Sequence, residues 1–119
     1  MIYLVDDDPI QNMLTSKLIG NVDDSIPIQI YQNGEEVLDA LGKTERPDII
    51  LLDINMPIMD GWEFLAEYKN KRNQAKVVML TSSSMNEDKS KSDGFSCVVD
   101  YYTKPITEGD IKEIIKKYY

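Results

Sequence analysis

The sequence predicts a three-layer α/β domain built around one parallel sheet. Short runs rich in β-branched residues alternate along the chain with stretches whose apolar residues recur every three or four positions. The central run Ile49–Leu52 is apolar without alternation, the pattern of a strand covered on both faces. A chain of 119 residues has the size of one ordinary domain, so a single unit spanning 1–119 is expected.

The elements follow in order. Ile2–Val5 predicts a buried strand. Ile10, Met13, Leu14 and Leu18 recur at spacings of three and four and predict a helix over about Pro9–Gly20. Asp8 suits its N-cap and Pro9 its first turn. Ile26–Tyr31 predicts a second strand, closed by a turn at Asn33-Gly34. Val37, Leu38 and Leu41 give a short helix that ends at Gly42. Asp48–Asp53 is the third strand, and Trp62, Leu65 and Tyr68 mark a third helix. Lys76–Thr81 is the fourth strand, followed by a polar fourth helix at Asn86–Asp93. Val98–Tyr102 is the fifth strand, and Ile111, Ile114, Ile115 and Tyr118 form the inner stripe of the last helix. Right-handed crossovers place five such strands in one parallel sheet. Ligands of such sheets bind beyond the carboxyl ends of the strands.

Composition removes several chemistries. The chain has no histidine and one cysteine, so neither a Ser-His-Asp or Cys-His centre nor a cysteine-based zinc site can form within it. A metal would need oxygen ligands, which points to hard cations. Cys97, beside Val98 and Val99, is expected to be a small buried side chain. Its single copy permits a cytoplasmic setting, which we expect. A net charge of −8 disfavours nucleic acid and anionic lipid as partners. The longest apolar runs have four residues, too few to cross a bilayer, and Asp6–Asp8 arrive too early for a secretory signal.

Strand ends carry the chemistry. Strand one ends in Asp6-Asp7, strand three in Asp53, strand four in Thr81-Ser82-Ser83 and strand five in Lys104-Pro105. Taken singly, each has an ordinary explanation: a solvated acidic loop, a turn, a strand terminator. Together they deliver acids, hydroxyls and one lysine to one edge of the sheet. Two carboxylates about 4 Å apart repel by about 4 kcal/mol at an effective dielectric near 20, so three of them call for a cation or a raised pKa. One hard divalent ion is the economical answer.

These residues resemble a family. Leu-Val-Asp-Asp-Asp at 4–8, Leu-Leu-Asp-Ile-Asn-Met-Pro-Ile-Met-Asp-Gly at 51–61, Met-Leu-Thr-Ser at 79–82 and Asp-Tyr-Tyr-Thr-Lys-Pro at 100–105 are similar, collinearly, to receiver domains of two-component response regulators. The resemblance implies a flavodoxin-like (βα)5 fold with sheet order 2-1-3-4-5. It implies Asp53 as phosphoacceptor and Mg²⁺ (or Mn²⁺) held by Asp7, Asp53 and the Asn55 backbone carbonyl, with Asp6 acting through a metal-bound water. It implies Thr81 as the switch hydroxyl, Lys104 as the cation for the phosphoryl oxygens and Tyr101 as the switch aromatic; a strand aromatic that merely packs is the competing reading of Tyr101. Pro57 and Asp60-Gly61 would shape the loop after the acceptor, and Trp62 would serve packing. Phe95-Ser96-Cys97, Ser82 and Ile106 depart from the common pattern, at positions away from the reacting atoms.

The implied function is a phosphorylation-dependent switch. A sensor histidine kinase or histidine phosphotransfer protein would donate the phosphoryl group to Asp53. The face built from the fourth helix, fifth strand and last helix would then change to regulate a downstream protein target. Such a switch handles its own phosphate and is not a turnover enzyme. A stand-alone regulator is expected, with a fragment of a longer regulator or hybrid kinase as the alternative. Two rivals remain: a silent receiver used only for binding, and a metal-dependent aspartyl-phosphate phosphatase. The phosphatase reading fits poorly, because its acceptor stands near the chain start with a second acid two residues on, where this chain has Asn55.

Overall fold

The computed structural model describes residues 1–43, 46–56, 58–71, 74–81 and 94–119. Along the chain run β1 (Ile2–Val5), α1 (Pro9–Val22), β2 (Ile28–Tyr31), α2 (Gly34–Leu41), β3 (Ile49–Asp53), α3 (Gly61–Tyr68), β4 (Lys76–Thr81), β5 (Val98–Thr103) and the last helix, α4 (Glu108–Tyr118). The five strands form one parallel sheet in the order β2-β1-β3-β4-β5. This is the flavodoxin-like arrangement expected from the sequence. The helix expected at Asn86–Asp93 lies outside the described residues, as do Pro57, Ser82 and Ser83.

Strand alternation divides the core in two. Ile2, Leu4, Ile49, Leu51, Val78 and Leu80 face α1 and α4, where Ile19, Ile111 and Ile114 meet them. Tyr3, Val5, Ile50, Leu52, Val77 and Met79 face α2 and α3, meeting Val37, Phe64, Leu65 and Tyr68. Every residue of β3 is buried, as its unbroken apolar run requires. Each fully buried side chain of this size contributes about 1.5–3 kcal/mol, so the two layers jointly hold the sheet flat against its helices. Cys97 is a buried free thiol in the α2/α3 layer, and burial pushes its pKa up. Trp62 packs on the same layer, its ring centroid 6.5 Å from that of Phe95.

Helix α1 is turned the other way from its apolar pattern. Ile10, Met13 and Leu14 are 64%, 49% and 47% exposed, whereas Asn12, Thr15 and Ile19 are buried. Of the expected stripe only Leu18 packs against the core, with Val22 one turn on. The cause is the polar end of β1: Asn12 Nδ2 donates to the Asp6 carbonyl at 2.9 Å, which draws that face of the helix inward. Asp8 caps α1 as expected, accepting from Ile10 N–H, and the helix runs two residues beyond Gly20.

Two smaller expectations also shift. Strand β2 begins at Ile28 rather than Ile26, because Pro27 offers no N–H to a ladder, although its carbonyl still accepts from Ile2 N–H. Asn33-Gly34 is not a free turn. Asn33 caps α2 by accepting from Glu36 N–H, and Gly34 is the first helical residue. A Cβ on Gly34 would stand 2.9 Å from Met59 Cγ and 3.0 Å from Phe64 Cβ, so glycine is required there by close packing.

Candidate functional site

Parallel register aligns the carboxyl ends of the strands. Val5 pairs with Leu52, Asp53 with Leu80 and Thr81 with Thr103. Asp6, Asp53, Thr81 and Lys104 therefore reach the same edge. Alternation also places Asp6 (after Ile2 and Leu4) and Asp53 (after Ile49 and Leu51) on the same side of the sheet. Backbone bonds close the edge: Lys104 N–H donates to the Thr81 carbonyl at 2.8 Å, and Ile54 N–H to the Leu80 carbonyl at 3.4 Å.

Carboxylate oxygens of Asp6, Asp7 and Asp53 all lie within 4.8 Å of one another. Asp6 and Asp53 are buried and Asp7 is exposed, so the cluster opens to solvent on one side. Lys104 Nζ sits 2.9 Å from Asp53 Oδ1 and 3.0 Å from Asp6 Oδ2. One ammonium thus spans two buried acids. Burial pushes the Asp53 carboxyl above its ordinary value; the Lys104 hydrogen bond opposes this and the Asp6 charge reinforces it. Burial alone would lower Lys104, but its bonds to Asp53 and Asp6 outweigh it and hold the ammonium above its usual range.

Asp6 is held at each polar atom. Its N–H donates to the Tyr31 carbonyl at 3.0 Å and its carbonyl accepts from Asn12 Nδ2 at 2.9 Å. Its Oδ1 accepts from Asp8 N–H at 3.0 Å, and its Oδ2 from Lys104 at 3.0 Å.

The other expected residues fall around this centre. Asn55, exposed, lends a backbone hydrogen bond to Asp53 that favours the carboxylate. Thr81 is 1% exposed at the end of β4. Tyr101 is half-buried on β5, paired with Met79 rather than Thr81, and packs beside the α2/α3 layer. Gly61 N–H donates to the Ile54 carbonyl at 2.8 Å, and a Cβ there would stand 2.9 Å from Ile54 Cα and 3.0 Å from the Asp53 carbonyl oxygen. Asp60 and Glu63 form a capping box that starts α3 at that point. Ile58 adopts φ 67° with its side chain 73% exposed.

Sequence reasoning missed Asn12 and the outward face of α1. The signal was a set of polar residues in the helix after the acidic run, Asn12 and Thr15 among them, and the apolar stripe beside them outweighed it.

Three carboxylates converging from two strand ends, with oxygen as the only ligand chemistry, fit a hard divalent cation. Comparison with known proteins agrees with this arrangement. The response regulator receiver domain profile matches residues 2–116. The positive alginate biosynthesis regulatory protein of Pseudomonas aeruginosa is 30% identical over 118 residues, covering 98% of this chain but only 46% of that protein. A two-component response regulator from Cytophaga hutchinsonii superposes with TM-score 0.87 at 30% identity, covering 98% of this chain and 93% of the other. The receiver domain of a sensor histidine kinase from Pseudomonas aeruginosa, solved with a magnesium ion coordinated in its active site cleft, shares the fold (TM-score 0.84, 20% identity, covering 98% and 93%). From sheet order to acidic edge, the chain belongs to the response-regulator receiver family, whose members are phosphorylation-dependent signalling switches of two-component systems.

Proposed function

We propose that this domain accepts a phosphoryl group on Asp53 and signals by the charge it gains. The observation that carries this reading is Lys104 Nζ seated 2.9 Å from Asp53 Oδ1 at the open edge of an acidic cluster. Asp7, Asp53, the Asn55 backbone carbonyl and, through water, Asp6 would hold Mg²⁺, with Mn²⁺ as a substitute. When bound, the ion neutralises charge on the transferring phosphoryl group.

The protein groups do the rest. Asp53 attacks the phosphorus of a phosphohistidine or small acyl phosphate. A bond forms from the Asp53 carboxylate oxygen to phosphorus, the bond to the leaving imidazole nitrogen or acyl oxygen breaks, and the leaving group keeps that electron pair. An added phosphoryl oxygen on Asp53 would need a cation, and the Lys104 ammonium beside that carboxylate supports the reading. The Lys104 N–H bond to the Thr81 carbonyl ties down the end of β5 from which the ammonium reaches Asp53.

The donor is a sensor histidine kinase or histidine phosphotransfer protein. Ile10, Met13 and Leu14 on α1 and Ile58 after the acceptor present exposed apolar side chains on segments that leave this edge. They offer a partner a contact surface beside the reacting carboxylate. The added group brings up to about two negative charges and three acceptor oxygens. Thr81 moves to donate to one oxygen, Lys104 pairs with another, and Tyr101 turns inward. The face around β5 and α4 then changes for a downstream protein target. The domain spans 1–119 and works in the cytoplasm.

Mixing the protein with a small acyl phosphate and Mg²⁺ tests this. A base-labile phosphate located by mass at Asp53, lost in Asp53→Asn and on metal chelation, is expected. Phosphate elsewhere, or none from any donor, overturns it and favours the silent receiver. Multiple turnover on a phosphate ester would favour the phosphatase.

A further inference from the structure

We propose that Asn12 is a positioning residue of the acidic site: its amide, bonded to the Asp6 carbonyl, sets the direction of the Asp6 carboxylate and thereby the affinity for a divalent cation.

Geometry makes the case. The β1 ladder ends at Val5, which pairs with Tyr31 on one side and Leu52 on the other. The Asp6 carbonyl lies beyond the last paired residue, and Asn12 Nδ2 meets it there at 2.9 Å. Asn12 is 4% exposed, within a helix whose buried face otherwise meets Leu4, Leu51 and Leu80. An apolar residue would suit that neighbourhood and the helix better, since asparagine is a weak helix former and a buried amide without partners is destabilising. Its donor function explains its place. A cavity of about 10 Å³ adjoins Asp6, Asn12 and Thr15.

Three of the four bonds to Asp6 are internal scaffolding: Tyr31, Asp8 and Asn12. The fourth, from Lys104 to Oδ2, comes from a mobile class of side chain and is the one a metal-bound water can take over. Removing Asn12 loosens the backbone from which that carboxylate projects while leaving every proposed ligand in the chain. Groups that orient ligands of a metal commonly change affinity about 10–100-fold when lost.

This rests on the proposed use of Asp6, Asp7 and Asp53 for Mg²⁺, and the test separates the two. Mg²⁺ binding is measured by calorimetry for the whole chain, for Asn12→Leu, for the smaller Asn12→Ala, for Ile19→Val and for Asp53→Asn. Amide NMR without metal follows Asp8 N–H, the reporter of Asp6 Oδ1. Both Asn12 variants are expected to weaken Mg²⁺ about tenfold and to shift the Asp8 amide. Ile19→Val, a packing lesion on the same helix face, is expected to lower stability and leave both readouts unchanged. Wild-type affinity in a folded Asn12 variant, or equal weakening in Ile19→Val, overturns the inference. Should Mg²⁺ fail to bind the parent protein, or bind Asp53→Asn as well, the metal reading falls and the inference with it. Failure of both Asn12 variants to fold while Ile19→Val folds would make Asn12 a stability residue and overturn the positioning role.

Discussion

Lys104 Nζ lies 2.9 Å from Asp53 Oδ1 and reaches Asp6 Oδ2 with the same ammonium, so one positive charge is shared between the two buried acids of the site. The protein thus holds a cation of its own at the place proposed for the divalent ion. Lys104→Met removes that competitor and leaves three carboxylates facing one another. The variant is expected to bind Mg²⁺ about three- to tenfold more tightly, a gain of about 1 kcal/mol. It should nevertheless take phosphate from a small acyl donor about a hundredfold more slowly, having lost the charge aimed at the phosphoryl oxygens. Calorimetry and single-turnover labelling check the two halves, and unchanged or weaker metal binding would show that the ammonium does not compete.

Asp7 repels its neighbours without an ion pair to offset it among those the structure gives. Asp7→Asn is expected to stabilise the metal-free fold by about 1 kcal/mol, since an exposed group is partly screened, while weakening Mg²⁺ at least tenfold. Urea unfolding with and without Mg²⁺ measures both. A loss of stability without metal would mean that Asp7 makes a favourable contact.

Ile58 sits at φ 67°, a conformation that costs a β-branched residue about 1–2 kcal/mol, and its exposed side chain recovers little of that. Ile58→Asn should raise stability by about 1 kcal/mol in denaturant unfolding. If the apolar side chain is retained for a partner, the same variant will take phosphate more slowly from a histidine phosphotransfer protein and at the normal rate from a small acyl phosphate.

The two faces of α1 should respond in opposite ways. Met13→Gln or Leu14→Gln changes an exposed residue and is expected to cost less than about 0.5 kcal/mol. Ile19→Ala opens a cavity in the α1/α4 layer and should cost about 2–4 kcal/mol. Chemical denaturation of the three variants distinguishes this orientation from the apolar-inward one.

High pH should unfold the domain in a defined window. Burial, aided by Tyr3, pushes Tyr31 up from 10.0 to about 12, and burial also raises Tyr68. Lys104 is raised above 10.5, its paired carboxylates outweighing burial. In each case the folded chain keeps a proton that the unfolded chain has released. The associated stability is complete below pH 10 and is lost as pH climbs toward about 12. Tyrosinate absorbance should therefore show a cooperative late phase that coincides with loss of circular dichroism; a smooth, non-cooperative titration would contradict it.

Much of this architecture was legible because strands and sites obey simple local rules. The unbroken apolar run of β3 announced a strand covered twice, and Asp6, Asp53, Thr81 and Lys104 could be placed together once each strand had an end. Helix α1 was misread because periodicity assumes that the inner face is the apolar one. Here the inner face must also serve a polar strand terminus, so Asn12 and Thr15 go in and Ile10, Met13 and Leu14 stay out. Strand β2 started late because a single proline outweighs the β propensity around it. The double ion pair of Lys104 was out of reach for a subtler reason: sequence gives which charges meet, not which of them are already satisfied.

The contact of Gly61 with the acceptor strand has a mechanical consequence. Its backbone lies against Ile54 and the Asp53 carbonyl, with a hydrogen bond to Ile54 and the capped start of α3 immediately behind it. There is no slack on that flank. If Asp53 takes the phosphoryl group as proposed, the main chain beneath it cannot yield toward Gly61, so the displacement falls on the neighbouring strand end, where Leu80 of β4 pairs with Asp53.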